Sequence, residues 1–496
     1  MEKIKVLVLF GGQSSEHSVS ELSVTNVLSQ LDTDKFEPVM VGITTEGKWY
    51  LYEGEISGIR ECGWEKSDKI TPAFLSPDAS VGGLLVMGKG GVEIRPVDVV
   101  YPVLHGKCGE DGTVQGLCTL ANLPCVGPDM LSSAICMDKT VAKIMFQYLG
   151  IPQANWVTVL KRDLNNPDAI VSEIEQKLGY PAFVKPANAG SSVGIAKAKN
   201  REGLLEALKL AAEHDDKILV EEFIQGHEVE SAPLGNGDSI YVPMPGEVIS
   251  ANEFYDFEAK YKIESTIRIP ADLKPEVAQK VRHYAKKIFA GIGLSGQSRI
   301  DFFVKDDDSV LINEVNTLPG FTDISMYPKM LEKGGVPQKQ LITSLIELAM
   351  DKFAGEETAA SFAGKLSFTS VTGDARMRFE VPCSYAYDGE NAVLAFCEPD
   401  SETGKGAQNR ITLNQGKLTV SRQGEASTEV TFTLNSNEAV PFTYKTPYGE
   451  MDLTAKPNEI RFDGSPFGAS CTLSYDLYQG ADLLNRCEIS FEVAKA

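Results

Sequence analysis

Residues 1–353 predict an α/β protein, and residues 366–496 predict an all-β antiparallel barrel joined to it by a short linker. Three observations carry this expectation. Near the start, the apolar run IKVLVLF ends in a glycine and serine turn and is followed by an amphipathic stretch, ELSVTNVLSQL. Strand-like and helix-like stretches then alternate to about Phe353, the pattern of layered α/β folds that hold ligands at the carboxyl ends of their strands. Beyond that point the apolar period becomes two, as in KLSFTSV, RITLNQGKLTVSRQ and STEVTFTLN, with turn signals such as Asn414-Gln415-Gly416 and no helical stretch between.

Taken in order, residues 1–127 predict an N-terminal α/β domain with a mostly parallel sheet. Its strands are IKVLVLF, PVMVGIT, DVVYPVL and LPCVG. Residues 128–225 open with a helix around CMDKTVAKIMFQYLG, stopped by Gly150 and the Ile151-Pro152 break. They continue through the strand PAFVKP, a glycine loop, a helix and the strand KILVEEFI. Residues 226–353 hold further strands, a helix from Pro275 to Gly291, the strands SRIDFFV and VLINEVN, and a final helix. Pro233 removes a ladder donor, so its strand is expected at an edge or a bulge. Residues 354–365, AGEETAASFAGK, read as the linker.

Composition narrows the partners. The 496 residues carry a formal net charge of −22, which disfavours a nucleic-acid or anionic membrane surface as the main partner. No run approaches the roughly 18 apolar residues of a membrane span, and the first apolar run lacks a secretory cleavage site. No membrane partner and a cytoplasmic location are therefore expected. Nine cysteines without a C-x-x-C predict reduced thiols rather than a disulfide framework or a zinc site.

Four segments hold candidate chemistry. In VKPANAGSSVGIAK, Lys185 ends a strand beside Gly190-Ser191-Ser192-Val193-Gly194. Glycines let backbone N–H groups approach phosphate oxygens while a lysine supplies charge, although a plain turn has the same look. The lysine precedes the glycines, so this is not a P-loop. In RIDFFVKDDDSVLINEVN, Glu314 and Asn316 are two apart on a strand and share a face, and a hairpin through KDDDS brings Asp301 opposite. Two carboxylates and an amide oxygen suit Mg²⁺; a solvated strand face is the alternative. LVEEFIQGHEVE offers backbone groups to a purine and Glu228 to a ribose, or is simply an edge strand. EFYDFEAKY, residues 253–261, is too charged for a core strand and too aromatic for an idle loop.

In this order, LFGGQSSEHSVS, YPVLHGKCGEDGTVQGL, CMDK, PAFVKPANAGSSVG, LVEEFIQGHEVE, FYDFEAKY, SRIDFF and NEVNTLPGFTDISMYP resemble the ATP-grasp superfamily, and within it the D-alanine–D-alanine ligases, over residues 3–350. The resemblance implies an α/β ATP-grasp fold, with an N-terminal α/β domain and two α+β subdomains. It implies ATP-dependent formation of D-alanyl-D-alanine through an acyl phosphate, for peptidoglycan precursor synthesis. ATP and two Mg²⁺ ions, with Mn²⁺ able to substitute, would be used by a homodimer. On the substrate side it implies Glu16 for the first D-alanine's ammonium, with His105 and Tyr255 nearby, and Ser325 and Met326 for the second substrate. Arg299 and Gly320 would stabilise the oxyanion. EFYDFEAKY would be a lid over the cleft, and Ser191 and Tyr261 would link the glycine loop to it. For ATP it implies Lys139, Lys185, Ser191, Ser192, Glu221, Glu222, Phe223, Ile224, Glu228, Phe254, Lys260, Asn313 and Glu314; for the metal, Asp301, Glu314 and Asn316. The alternative within the family is a D-alanine–D-serine ligase, and less so a D-lactate one, because Lys260-Tyr261 favours dipeptide formation. Residues 366–496, through YKTPYGEMDL and their strand spacing, resemble a small lipocalin-like β-barrel family of unknown function.

Overall fold

The computed structural model describes residues 3–61, 63–190, 194–237, 239–249, 266–354, 361–373, 375–387, 391–399, 406–424, 426–465 and 468–495. The chain forms two compact units, one from residues 1–237 with 242–357 and one from residues 238–241 with 358–496.

In the first unit the opening apolar run is the strand Ile4–Gly11, with Val6 through Phe10 fully buried. It lies parallel to Phe36–Ile43 on one side and Val99–Pro102 on the other. The pairing satisfies both edges of the strand, and the full burial of consecutive side chains shows that both faces are covered, as a continuous apolar run requires. Burying each such side chain stabilises by about 1.5–3 kcal/mol. Beyond these three strands the seven-stranded sheet grows by antiparallel pairs through Trp49–Tyr52, Ile70–Leu75, Gly83–Gly88 and Gly91–Pro96. The expected mostly parallel sheet is thus a parallel core with an antiparallel wing. The reason is that turns and short helical segments, not packed crossover helices, join the outer strands. LPCVG adds only a single parallel bridge, Val100 with Cys125.

The single helix expected around CMDK is two, Met130–Met137 and Lys139–Tyr148, separated at Asp138. The Asp138 carboxylate accepts the N–H groups of Thr140 and Val141 and so caps the second helix. A four-stranded antiparallel sheet follows, in the order Ala196–Ala198, Ala182–Pro186, Lys217–Glu222, Trp156–Leu160. A five-stranded antiparallel sheet comes next, in the order Thr266–Arg268, Gly246–Ile249, His227–Ser231, Arg299–Val304, Val310–Asn316. His227–Ser231 is central in that sheet, so the edge expected from Pro233 is corrected. The proline sits just beyond the strand, and its carbonyl accepts the Tyr327 hydroxyl at 3.1 Å.

Among the described residues the second unit carries ten strands between Ser361 and Lys495, each pairing antiparallel with the next in sequence except the sixth and seventh. The first begins inside the stretch expected as linker. It pairs with the last, Asp482–Lys495, and the Ser427–Lys445 bridge joins the sixth and seventh. The sheet therefore closes on itself, which removes open edges. Alternate residues fill the interior, with Phe368 stacked on Phe379 at 5.0 Å and Phe396 beside both.

Candidate active site

A cleft of about 680 Å³ lies between the four- and five-stranded sheets of the first unit, a size that suits a small-molecule ligand. Its walls are Phe183, Lys185 and Glu221 from one sheet and Glu228, Arg299, Asp301 and Glu314 from the other. Local register explains the second wall. Asp301 stands directly opposite Glu314, and Arg299 opposite Asn316, but Phe302 pairs with Ile312, leaving Asn313 as an extra residue. This β-bulge turns both Asn313 and Glu314 toward the cleft while Ile312 and Val315 stay buried.

Asp301, Glu314 and Asn316 are thus brought together as expected. Arg299 makes two hydrogen bonds to the Asp301 carboxylate, at 2.8 Å each, and Asn316 donates to it at 3.0 Å. Glu230 faces the same guanidinium at 3.3 Å. Among the described residues no group of three or more His, Cys, Asp or Glu side chains forms a metal site. The donor set here is two opposed carboxylates and an amide, which fits a hard divalent cation, and the guanidinium offsets their charge.

On the phosphate side, Lys185 and Phe183 share the cleft face of their strand, with Glu221 across the ladder from Phe183. Glu221 forms ion pairs through both oxygens, with Lys185 Nζ at 2.7 Å and with Lys143 Nζ at 2.5 Å. Burial pushes the Glu221 pKa up, but the two lysines outweigh it and hold the group at about 2. Burial also opposes the charge on Lys185, and Glu221 and Glu314 more than restore it. Lys139, at the start of its helix, donates to the Ala189 carbonyl at 2.8 Å and so reaches the glycine loop.

The expected purine end is more committed to the protein. Both Glu222 carboxylate oxygens accept from Asn155, at 2.7 and 3.1 Å, and the Glu222 N–H is taken by the Asn155 carbonyl. Phe223 stacks on Phe183 at 5.9 Å, with Lys197 4.0 Å above its ring. Ile224 and Glu228 line the cleft.

The remaining residues form a junction at the carboxyl ends of the parallel strands. Glu16 precedes the helix His17–Gln30 and is buried. A Cβ at Gly106 would lie 2.6 Å from the Glu16 carboxylate and one at Gly190 2.9 Å from it, so both loops close on it only as glycines. His105 is buried with both ring nitrogens engaged: Nδ1 donates to the Leu318 carbonyl at 3.1 Å and Nε2 accepts the Ser23 hydroxyl at 3.0 Å. Burial pushes its pKa down, so the ring is neutral. The Ser23 oxygen also accepts the Phe321 N–H at 3.2 Å, and His105 and Ser23 thereby hold the loop that contains Gly320. Ser325 sits against Gly320, whose Cβ position is 2.9 Å from its Oγ, and accepts the Thr322 N–H at 2.9 Å. Met326 is buried at the start of the next helix.

Two further residues were not singled out by sequence reasoning. Glu110 accepts the N–H groups of Gly106 at 2.9 Å and Leu318 at 3.4 Å; enclosure of its carboxyl group, and then the nearby Glu16, push its pKa up to about 8. Lys143 is the other. Both fall inside quoted segments, HGKCGEDG and CMDKTVAK, but only the folded register shows what they face. Ser191, Ser192, Phe254, Tyr255, Lys260 and Tyr261 lie outside the described residues.

Comparison with known proteins matches residues 5–128 to the family described as D-ala D-ala ligase N-terminus and residues 145–347 to D-ala D-ala ligase C-terminus. Residues 367–491 match a domain of unknown function (DUF1934). A D-alanine–D-alanine ligase of Acetivibrio thermocellus is 46% identical over 71% of this chain and 97% of its own length. Ligase B of Clostridium tetani is 48% identical over 71% and 95%. Among solved structures, the VanG D-Ala:D-Ser ligase of Enterococcus faecalis superposes with a TM-score of 0.65 at 40% identity, covering 70% of this chain and 100% of that one. The D-alanine–D-alanine ligase of Coxiella burnetii gives 0.63 at 33% identity, covering 72% and 97%.

Proposed function

The chain belongs to the D-alanine–D-alanine ligase family, and from that premise we propose how its cleft divides the work of joining two D-alanines at the expense of ATP. The activity is the ATP-dependent ligation that supplies D-alanyl-D-alanine for peptidoglycan. A carboxylate is a poor electrophile, so the first D-alanine's carboxylate oxygen attacks the γ-phosphorus and ADP leaves. The second D-alanine's amine then attacks the acyl carbon, and phosphate leaves with that oxygen.

The observation that carries the assignment is the convergence of Lys185, Arg299, Asp301 and Glu314 on one cleft. Glu16 receives the first D-alanine's ammonium, placed by the Gly106 and Gly190 loops, with His105 beside it. Lys139 and Lys185 bind phosphate oxygens. Glu221, Glu222, Phe223 and Ile224 frame the adenine, Glu228 the ribose, and Asn313 joins them from the bulge. Asp301, Glu314 and Asn316 would hold Mg²⁺, or Mn²⁺, which supplies charge neutralisation at the phosphates. Arg299 and the Gly320 N–H stabilise the oxyanion of the tetrahedral intermediate. Ser325 and Met326 receive the second substrate's carboxylate. By the family resemblance alone, Ser192, Phe254 and Lys260 would serve the nucleotide, Tyr255 the substrate, and Tyr261 would donate to Ser191; a lid there would exclude water from the acyl phosphate.

We further propose a homodimer in the cytoplasm; among the described residues no helix is long and apolar enough to cross a membrane. The barrel unit is given a lipocalin-like relationship on its closed antiparallel meander, with no part in the chemistry, because relatives covered over 95–97% of their length match only 71% of this chain. D-alanine–D-serine ligation is the second reading, favoured by the 40% identity to a D-Ala:D-Ser ligase. Mass spectrometry of the products formed with D-alanine, D-serine and D-lactate in equimolar competition separates the two. D-Alanyl-D-alanine should dominate; dominant D-alanyl-D-serine would replace the first reading by the second.

A further inference from the structure

Lys143 lies four residues after Lys139 on the helix Lys139–Tyr148, yet it does not reach the cleft. Its side chain is only 2% exposed. A buried ammonium group is costly unless it is paired, and its partner is Glu221, at 2.5 Å. The other oxygen of Glu221 holds Lys185, which does line the cleft, at 2.7 Å. One carboxylate thus joins a lysine at the wall of the cleft to a lysine behind it.

The charge count gives this arrangement a consequence. Lys185 and Glu221 alone would form a neutral pair in a low-dielectric setting, with the ammonium directed wholly at its own carboxylate. A second buried cation on the far oxygen takes up part of that attraction and leaves the triad with one net positive charge. The cleft side of the triad is then cationic without any movement of the backbone. Glu221 is ionised throughout, since the lysines outweigh its burial.

We propose that Lys143 is a positioning residue for nucleotide binding: by sharing the Glu221 carboxylate with Lys185, it frees the Lys185 charge to act on the phosphates of a nucleotide in the cleft. The inference rests on the reading of Lys185 as a phosphate-binding lysine. It differs from that reading in assigning a role to a side chain that touches neither substrate nor cleft.

The test is a double-mutant cycle on the full chain, with Lys143→Met, Glu221→Gln and the two combined. Binding of a non-hydrolysable ATP analogue and of adenosine is measured by calorimetry, alongside KM and kcat for ATP. Lys143→Met should weaken binding of the ATP analogue by about tenfold and leave adenosine within about twofold. KM for ATP should rise with it while kcat changes little. In the Glu221→Gln background the same lysine substitution should change ATP-analogue binding by less than about threefold, because the carboxylate it acts through has lost its charge. Equal loss of ATP analogue and adenosine would mark a merely structural role and overturn the proposal. So would an equal effect of Lys143→Met in both backgrounds. If Lys143→Met alone does not fold, the comparison within the Glu221→Gln background stands by itself, and a tenfold loss there overturns it. Lys185→Ala is the separate control: normal ATP-analogue binding in that variant would sink the underlying reading of Lys185 instead.

Discussion

Glu110 shows most directly how single residues at this site are set by their surroundings. Its carboxyl group receives two backbone N–H groups, yet enclosure and the neighbouring Glu16 raise its pKa from 4.5 to about 8. A folded-state pKa above the unfolded value means that the native protein holds the extra proton. The associated stability is complete below about pH 4.5 and is lost as the pH rises through about 8. Urea unfolding of the ligand-free protein should therefore show stability falling across this window from this group, and Glu110→Gln should flatten that part of the profile. An unchanged slope in the variant would remove Glu110 as its source. Lys185, Asp301 and Glu314 were legible in the sequence because each sits in a short segment whose spacing alone puts it on the right strand face. Glu110 and Lys143 were not, since what matters is the partner each meets across the chain: Glu16, 94 residues away, and Glu221, 78 away.

The helix Lys139–Tyr148 carries both Lys139 and Lys143 in its first two turns, so its start fixes where two cations stand. Asp138 caps it through the Thr140 and Val141 N–H groups and also pairs with Lys217 at 2.5 Å. Asp138→Ala should cost about 1–2 kcal/mol of stability and raise KM for ATP, read by denaturant melts and initial rates. Full stability in that variant would mean that the cap contributes nothing here. The paired strands Arg299–Val304 and Val310–Asn316 show where pattern reading stops. Period-two alternation placed Glu314 and Asn316 on one face, but a bulge is invisible to alternation. Only the observed register explains why Asn313 and Glu314, adjacent in sequence, both face the cleft. The outer N-terminal strands carry the same lesson, because their apolar pattern does not encode whether a neighbour runs parallel.

At the scale of the whole chain, the apolar period changes after Phe353, and the second unit runs from residue 358 with residues 238–241 added; an antiparallel meander needs only strands and tight turns. Its closure through the first and last strands was not readable, because those partners are more than a hundred residues apart in sequence. Two units with separate cores should unfold in two calorimetric transitions. An ATP analogue with Mg²⁺ at 100 times its Kd should stabilise the ligase unit by about 2.7 kcal/mol and leave the barrel transition in place. A single transition shifted as one would contradict that independence. The central claim is that this chain joins two D-alanines through an acyl phosphate. It is tested most directly with D-alanine carrying ¹⁸O in its carboxylate, ATP and Mg²⁺, followed by mass spectrometry of both products. The account predicts D-alanyl-D-alanine together with released phosphate bearing one ¹⁸O per dipeptide formed; dipeptide accompanied by unlabelled phosphate, or no dipeptide at all, would contradict it.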